Sequence, residues 1–250
     1  MKKEKLIACS LLPAFWMMYF LLELVTGRVK DMKQISFNIV FIILFALVGY
    51  ILYILGTKLS KGLKTKSIFL SLLIFIAIDQ GIKLTIKRWF FDKSFVIIKD
   101  IINFDPIINT QGSWLNARFG ANVSFIGLII FNFIGLFFIL EIYRYSIYKN
   151  YKCSWLDFTF IFMFSGAVCS LIDKLFYGGS LDFIGIMPLF VADIKDIYLC
   201  IAIFFIFLFF YISKILDDDK ESNLSDDFQS IKMFFIFIKD DMLKLVRLKK

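Results

Sequence analysis

The chain contains no histidine. That absence excludes Ser-His-Asp and Cys-His hydrolases, the usual zinc hydrolase sites and proton relays built on imidazole. Cysteine is sparse and scattered: Cys9, Cys153, Cys169 and Cys200 form no C-x-x-C pair, so they read as buried small apolar side chains. Acid–base chemistry is left to carboxylates, with lysine and tyrosine as helpers. No metal or organic cofactor is expected.

A soluble-domain composition is missing too. Hydrophobic residues make up 60% of the 250, with 33 phenylalanines, and the mean hydropathy is +0.79. The phenylalanine excess reads as lipid-facing bulk. Apolar runs close to the roughly 20 residues that span a bilayer recur six times. They run from Leu6 to Val25, Ile35 to Leu55, Ser67 to Ile86, Val123 to Tyr143, Trp155 to Phe176, and Asp193 to Ile212. An all-α integral membrane protein of about six transmembrane helices is expected, because lipid satisfies no open backbone.

The net charge of +8 does not indicate nucleic acid. Its basic residues gather beside helix ends, at Lys2, Lys3 and Lys5, at Lys58, Lys61, Lys64 and Lys66, and at Arg144, Lys149 and Lys152. Under the positive-inside rule these mark cytoplasmic loops. Both termini are then inside, and Lys87–Ala121 and Lys174–Ala192 lie outside. Three units are expected: a two-helix hairpin with a basic linker (1–66), a four-helix core (67–214), and a cytoplasmic acidic linker with an amphipathic tail (215–250). The tail's apolar run, Met233–Ile238, is too short to span and suits the inner interface on anionic lipid. Alternation around Phe95–Phe104 suggests a small external sheet. Leu6-Ile7-Ala8-Cys9 matches a lipobox, yet only three apolar residues precede Cys9, so processing there is not expected.

Against this background, Asp79, Asp173, Asp182 and Asp193 stand out, inside or beside the most apolar stretches. A carboxylate at a helix centre costs roughly 2.5 to 3.5 kcal/mol on insertion scales. Three of them fall between Ser165 and Asp193. Gly178-Gly179 breaks the helix after Asp173, Leu181–Ile186 reads as a short strand, and Pro188 turns the chain back. Asp182 and Asp193 then flank one short loop at similar depth. Two carboxylates that close hold one proton between them, the device of an aspartic protease. Plainer readings remain beside each: a solvated loop acid for Asp182, a helix N-cap for Asp193, a structural i,i+4 pair for Asp79 and Lys83, and a turn former for Asn109. Lys174 could snorkel to the interface while Asp173 pairs with another helix.

The same residues resemble the lipoprotein signal peptidase (signal peptidase II) family. Its D-Q-x-x-K motif is similar to Asp79-Gln80-Gly81-Ile82-Lys83, and its N-x-G-x-x-F to Asn109-Thr110-Gln111-Gly112-Ser113-Trp114, with one extra residue. The third motif, G-A-x-x-N-L-I-D-R followed by G and V-V-D-F, resembles Gly166 to Lys174, Gly178 and Ser180 to Phe183. The closing F-N-x-A-D resembles Leu189 to Asp193. Ser170 and Lys174 replace the third motif's Asn and Arg, and Phe190 stands where the closing motif has Asn. The resemblance implies an intramembrane aspartic endopeptidase in the bacterial cell membrane. It would cleave diacylglyceryl-modified prolipoproteins before the lipidated cysteine, with lipid and these precursors as its partners. Asp182 and Asp193 would be catalytic. Asp79, Lys83, Asn109, Gly112, Ser170, Asp173 and Lys174 would shape the substrate pocket. The first hairpin and the tail lack counterparts in the usual four-helix enzyme. Two rivals stand beside this reading: a non-cleaving relative that binds lipid-modified peptides, and an ion-coupled transporter using the buried aspartates for protons.

Overall fold

The computed structural model describes residues 2–110, 124–186, 189–214 and 224–247. Among them, six helices are long and apolar enough to cross a membrane. These are α1 (Lys2–Val25), α2 (Met32–Lys58), α3 (Thr65–Thr85, extended by a π turn over Ile86–Phe90), α4 (Phe125–Tyr148), α5 (Ser154–Tyr177) and α6 (Ile194–Ser213). Their starts reflect local chemistry. Asp31 accepts from the Lys33 backbone at the head of α2, and Ser124 accepts from Gly127 at the head of α4, each satisfying an open first-turn N–H. Helix α5 stops where Gly178 takes a left-handed φ of 69°, which favours glycine.

Helix α5 is the hub. It packs on α3, α4 and α6, while the α1–α2 hairpin leans on α6 through α1 and on α5 through α2. Close approach between helices depends on glycine at several places. A Cβ on Gly166 of α5 would meet the Leu199 side chain of α6 at 2.9 Å, and one on Gly49 of α2 would meet the Ala8 carbonyl of α1 at 2.5 Å. The core gathers Tyr53, Tyr143, Trp155, Phe160, Phe204, Phe205 and Leu208. Tyr143 and Phe160 stack with ring centroids 4.0 Å apart. Phenylalanine is therefore partly core and not only lipid-facing bulk, because flat rings fill the wide gaps between crossing helices. The cysteines also correct the expectation: Cys169 is buried, Cys9 and Cys153 are half-buried and Cys200 is exposed, because their positions on the helices, not their apolar character, decide what covers them.

Four short strands cap one end of the bundle: β1 (Phe95–Ile98), β2 (Ile102–Asn109), β3 (Ser180–Ile186) and β4 (Phe190–Ala192), antiparallel and adjacent in that order. The expected sheet is present, and it also recruits the chain on either side of the β3–β4 connection. The tail forms α7 (Leu224–Arg247). It lays Phe234 and Phe237 on Tyr145 of α4 with ring centroids 5.3 Å apart, and Asp241 pairs with Arg144 at 2.5 Å.

Candidate active site

The sheet and two helix ends converge on one cluster of charge. Strand β3 begins two residues after Gly178, and its period of two puts Ser180 and Asp182 on the same face, toward the helices. The Ser180 hydroxyl donates to Asp182 Oδ1 at 2.5 Å. Asn109, paired with Ser180 across the ladder, donates from Nδ2 to Asp182 Oδ2 at 3.1 Å. One strand further, β4 delivers Asp193 to the N-cap of α6. There a capping box forms: Asp193 Oδ1 accepts the Asp196 N–H, and Asp196 Oδ2 accepts the Asp193 N–H. The expected N-cap thus uses one oxygen of Asp193 and leaves the other free to face the cluster.

Asp193 Oδ2 faces two ammonium groups, Lys83 and Lys195, each at 2.5 Å. Lys83 also reaches Asp173 at 2.6 Å and Asp79 at 3.0 Å, with all three side chains fully buried. Gln80 donates to both Asp79 and Asp173. Asp173 therefore finds its partner on α3, as expected. Lys195 donates to Ser180 Oγ and lies 3.4 Å from Asp173 and 3.6 Å from Asp182. Oxygens of Asp182, Asp193 and Asp196 come within 4.8 Å of one another, inside the span that one bridging water covers.

The two flanking carboxylates sit in opposite surroundings. Burial pushes Asp182 above the usual carboxylate range, and Lys195, Ser180 and Asn109 offset this only in part. Burial pushes Asp193 up as well, but Lys195 and Lys83 together outweigh it and hold the group below the usual range.

The remaining pocket residues divide. Asp79, Lys83, Asn109 and Asp173 join the cluster. Lys174 does not snorkel: it is buried and folds back to Ser170 Oγ at 2.6 Å, because a carbonyl and a hydroxyl one turn earlier satisfy its ammonium locally. Ser170 is thereby engaged with Lys174. Gly112, Trp114 and Pro188 lie outside the described residues.

Sequence reasoning missed Ser180, Lys195 and Asp196. The spacing from Asp193 to Asp196 was the available signal, since an acid at the N-cap and another three residues on mark a capping box. It also missed the link from the first hairpin to the site. Arg28, in the α1–α2 loop, donates from Nη2 to the Leu189 carbonyl at 2.8 Å. Phe20 and Val29 bury Leu189, and Phe190 meets Tyr19 edge-on at 5.6 Å. The apolar ring in place of the motif's Asn thus has a partner on the added hairpin.

Fold and cluster define a multi-pass membrane protein whose aspartates and lysines meet under a small sheet at one end of its helices. The family model described as signal peptidase (SPase) II matches residues 71–212, more than half of the chain. The chain belongs to that family of peptidases. Two solved structures, both described as a bacterial membrane enzyme obtained by the in meso method, at 2.3 and 1.9 Å resolution, are similar to it at 22% identity. The first covers 66% of this chain and 98% of that one with a TM-score of 0.50; the second covers 66% and 99% with a TM-score of 0.48. No curated protein matches the chain. Residues before 71 and after 212, which include α1, α2 and α7, lie outside the family match.

Proposed function

We propose that this peptidase is an intramembrane aspartic endopeptidase that removes signal peptides from diacylglyceryl-modified prolipoproteins, cleaving before the lipidated cysteine. The observation that carries the reading is the pair Asp182 and Asp193, with oxygens within 4.8 Å and opposite electrostatic surroundings. A carboxylate that releases its proton readily beside one that holds it more strongly is the arrangement needed to activate water and polarise a carbonyl together. In this mechanism Asp193 takes a proton from water while Asp182 donates to the carbonyl oxygen. The tetrahedral intermediate then collapses: one of its hydroxyls returns a proton to Asp182 as the C–N bond breaks, and the proton held on Asp193 passes to the leaving amide nitrogen. Lys83 keeps Asp79, Asp173 and Asp193 in register.

The precursor would arrive sideways from the outer leaflet, its acyl chains in lipid and its scissile bond under the sheet. Residues 67–214 form the catalytic core on this reading, 1–66 an added hairpin and 215–250 a cytoplasmic tail. Both termini face the cytoplasm of a bacterial inner membrane, with the site on the external face. A non-cleaving relative that binds lipid-modified peptides is favoured by one observation, the Lys195 ammonium held against Asp193.

The directions of the two shifts set the pH dependence. Cleavage requires Asp193 ionised and Asp182 protonated. Rates should therefore fall as pH drops through the lowered Asp193 value, and fall again as pH rises through the raised Asp182 value. The decisive measurement is in-membrane cleavage of a lipidated precursor beside a non-lipidated one. Asp182→Asn and Asp193→Asn should each reduce cleavage by roughly 10³-fold or more while the protein stays inserted and folded. Equal cleavage of the two precursors would refute the substrate assignment, and unchanged turnover in both variants would refute the mechanism.

A further inference from the structure

The cluster holds one cation that the four motifs do not contain. Lys195 is buried, and it occupies the second position of α6, where the helix dipole favours anions over cations. A lysine there is opposed by the backbone and held by acids. Helical side chains slant toward the N-terminus, so its long stem returns over the cap to the very carboxylate that forms it, at 2.5 Å. From that seat it reaches the Ser180 hydroxyl, which itself donates to Asp182. Among the described residues, Lys195 alone forms ion pairs with both Asp193 and Asp182, at 2.5 and 3.6 Å.

The groups facing this ammonium come from several packed elements. They are Lys83 of α3, Asp173 and Lys174 of α5, Ser180 and Asp182 of β3, and Asp193 and Asp196 around the start of α6. Lys83 also favours an ionised Asp193, at 2.5 Å, but its charge is shared with Asp79 and Asp173. Lys195 is the cation that touches both members of the pair: it is closer to Asp193 by more than an ångström, and Coulomb attraction between desolvated groups rises steeply at such range.

Resting on the peptidase reading, we propose that Lys195 is the positioning residue that decides which aspartate carries the pair's proton. Its ammonium fixes Asp193 as the base and leaves the proton on Asp182, with Ser180 linking the lysine to Asp182. A symmetric pair would spread its proton over two tautomers, only one of which faces the substrate correctly. The added cation removes that ambiguity before substrate arrives.

The test uses the full chain in nanodiscs, as wild type, Lys195→Met and Lys195→Arg. Two readouts run in parallel: the pH profile of kcat/KM on a diacylglyceryl peptide, and titration of 13C-labelled aspartate carboxyls, with signals assigned from Asp182→Asn and Asp193→Asn. In the wild type the Asp193 carboxyl should titrate at lower pH than the Asp182 carboxyl. In Lys195→Met both the acid limb of the profile and the Asp193 signal should move up by about one to three pH units, while Lys195→Arg keeps them near wild type. A reversed order in the wild type overturns the proposal, whether or not Lys195→Met folds. So does a Lys195→Met titration that coincides with wild type. If nothing is cleaved yet the Asp193 signal moves as stated, the peptidase reading falls and the charge assignment stands.

Discussion

Helix α5 buries one carboxylate at each end, and the two are used differently. Asp157, in its first turn, accepts the Tyr143 hydroxyl at 2.7 Å and the Leu63 backbone N–H at 2.6 Å. Both of these donors are neutral, and the helix dipole there favours an anion. Asp173, in the last stretch of the same helix, faces the unfavourable end of that dipole. It is surrounded by Lys83, Lys195, Gln80 and Ser180, which also serve other acids. Both side chains are fully buried. Burial alone therefore does not mark a reactive group. The mark is competition: several acids drawing on fewer cations, so that protons and charges have more than one place to rest.

The contrast between the two ends breaks most severely at Lys83. Lys83→Met leaves Asp79, Asp173 and Asp193 without their common cation, and removing one partner of a buried ion network costs about 3–5 kcal/mol. Thermal unfolding in detergent should show that loss, together with collapse of any cleavage. A smaller effect is expected at the opposite end. Asp157→Asn orphans a buried donor and should cost about 1–3 kcal/mol, yet leave the pH profile of cleavage where it was. A displaced profile would show that the two ends are coupled along α5. A narrower effect is expected at Arg28→Ala. Losing its hold on the Leu189 carbonyl should slow cleavage about tenfold, the equivalent of about 1.4 kcal/mol. The melting temperature should fall as well, because Arg28 also pairs with the fully buried Glu23 at 3.3 Å. Unaltered kinetics would show that β4 is held by the sheet alone.

The same contrast separates what the sequence makes legible from what it hides. The six spans were readable because twenty apolar residues in a row have few other uses. The charged cluster was readable because acids beside such runs are costly. The Asp79–Lys83 pair came from helical spacing and was found at 3.0 Å. Hidden were the features that depend on a side chain doubling back or on distant chain meeting. Lys195 has no local signal in the sequence; the cap geometry curls it over Asp193. Lys174 was expected at the interface and instead satisfied itself on Ser170. The burial of Asp157 has no local signal, because the Leu63 backbone that caps it lies 94 residues away. The Arg28–Leu189 bond spans 161 positions, and no local pattern encodes it.

The double duty of Asp193 also limits how this chain can change length. One oxygen locks the first turn of α6 and the other meets the lysines, so the side chain's direction is welded to the helix's rotational phase. Each residue added or deleted between Ala192 and Asp196 would rotate the rest of α6 by about 100° and carry Lys195 away from its seat. Indels belong in the outer hairpins and the tail, whereas this short hinge has one permitted length.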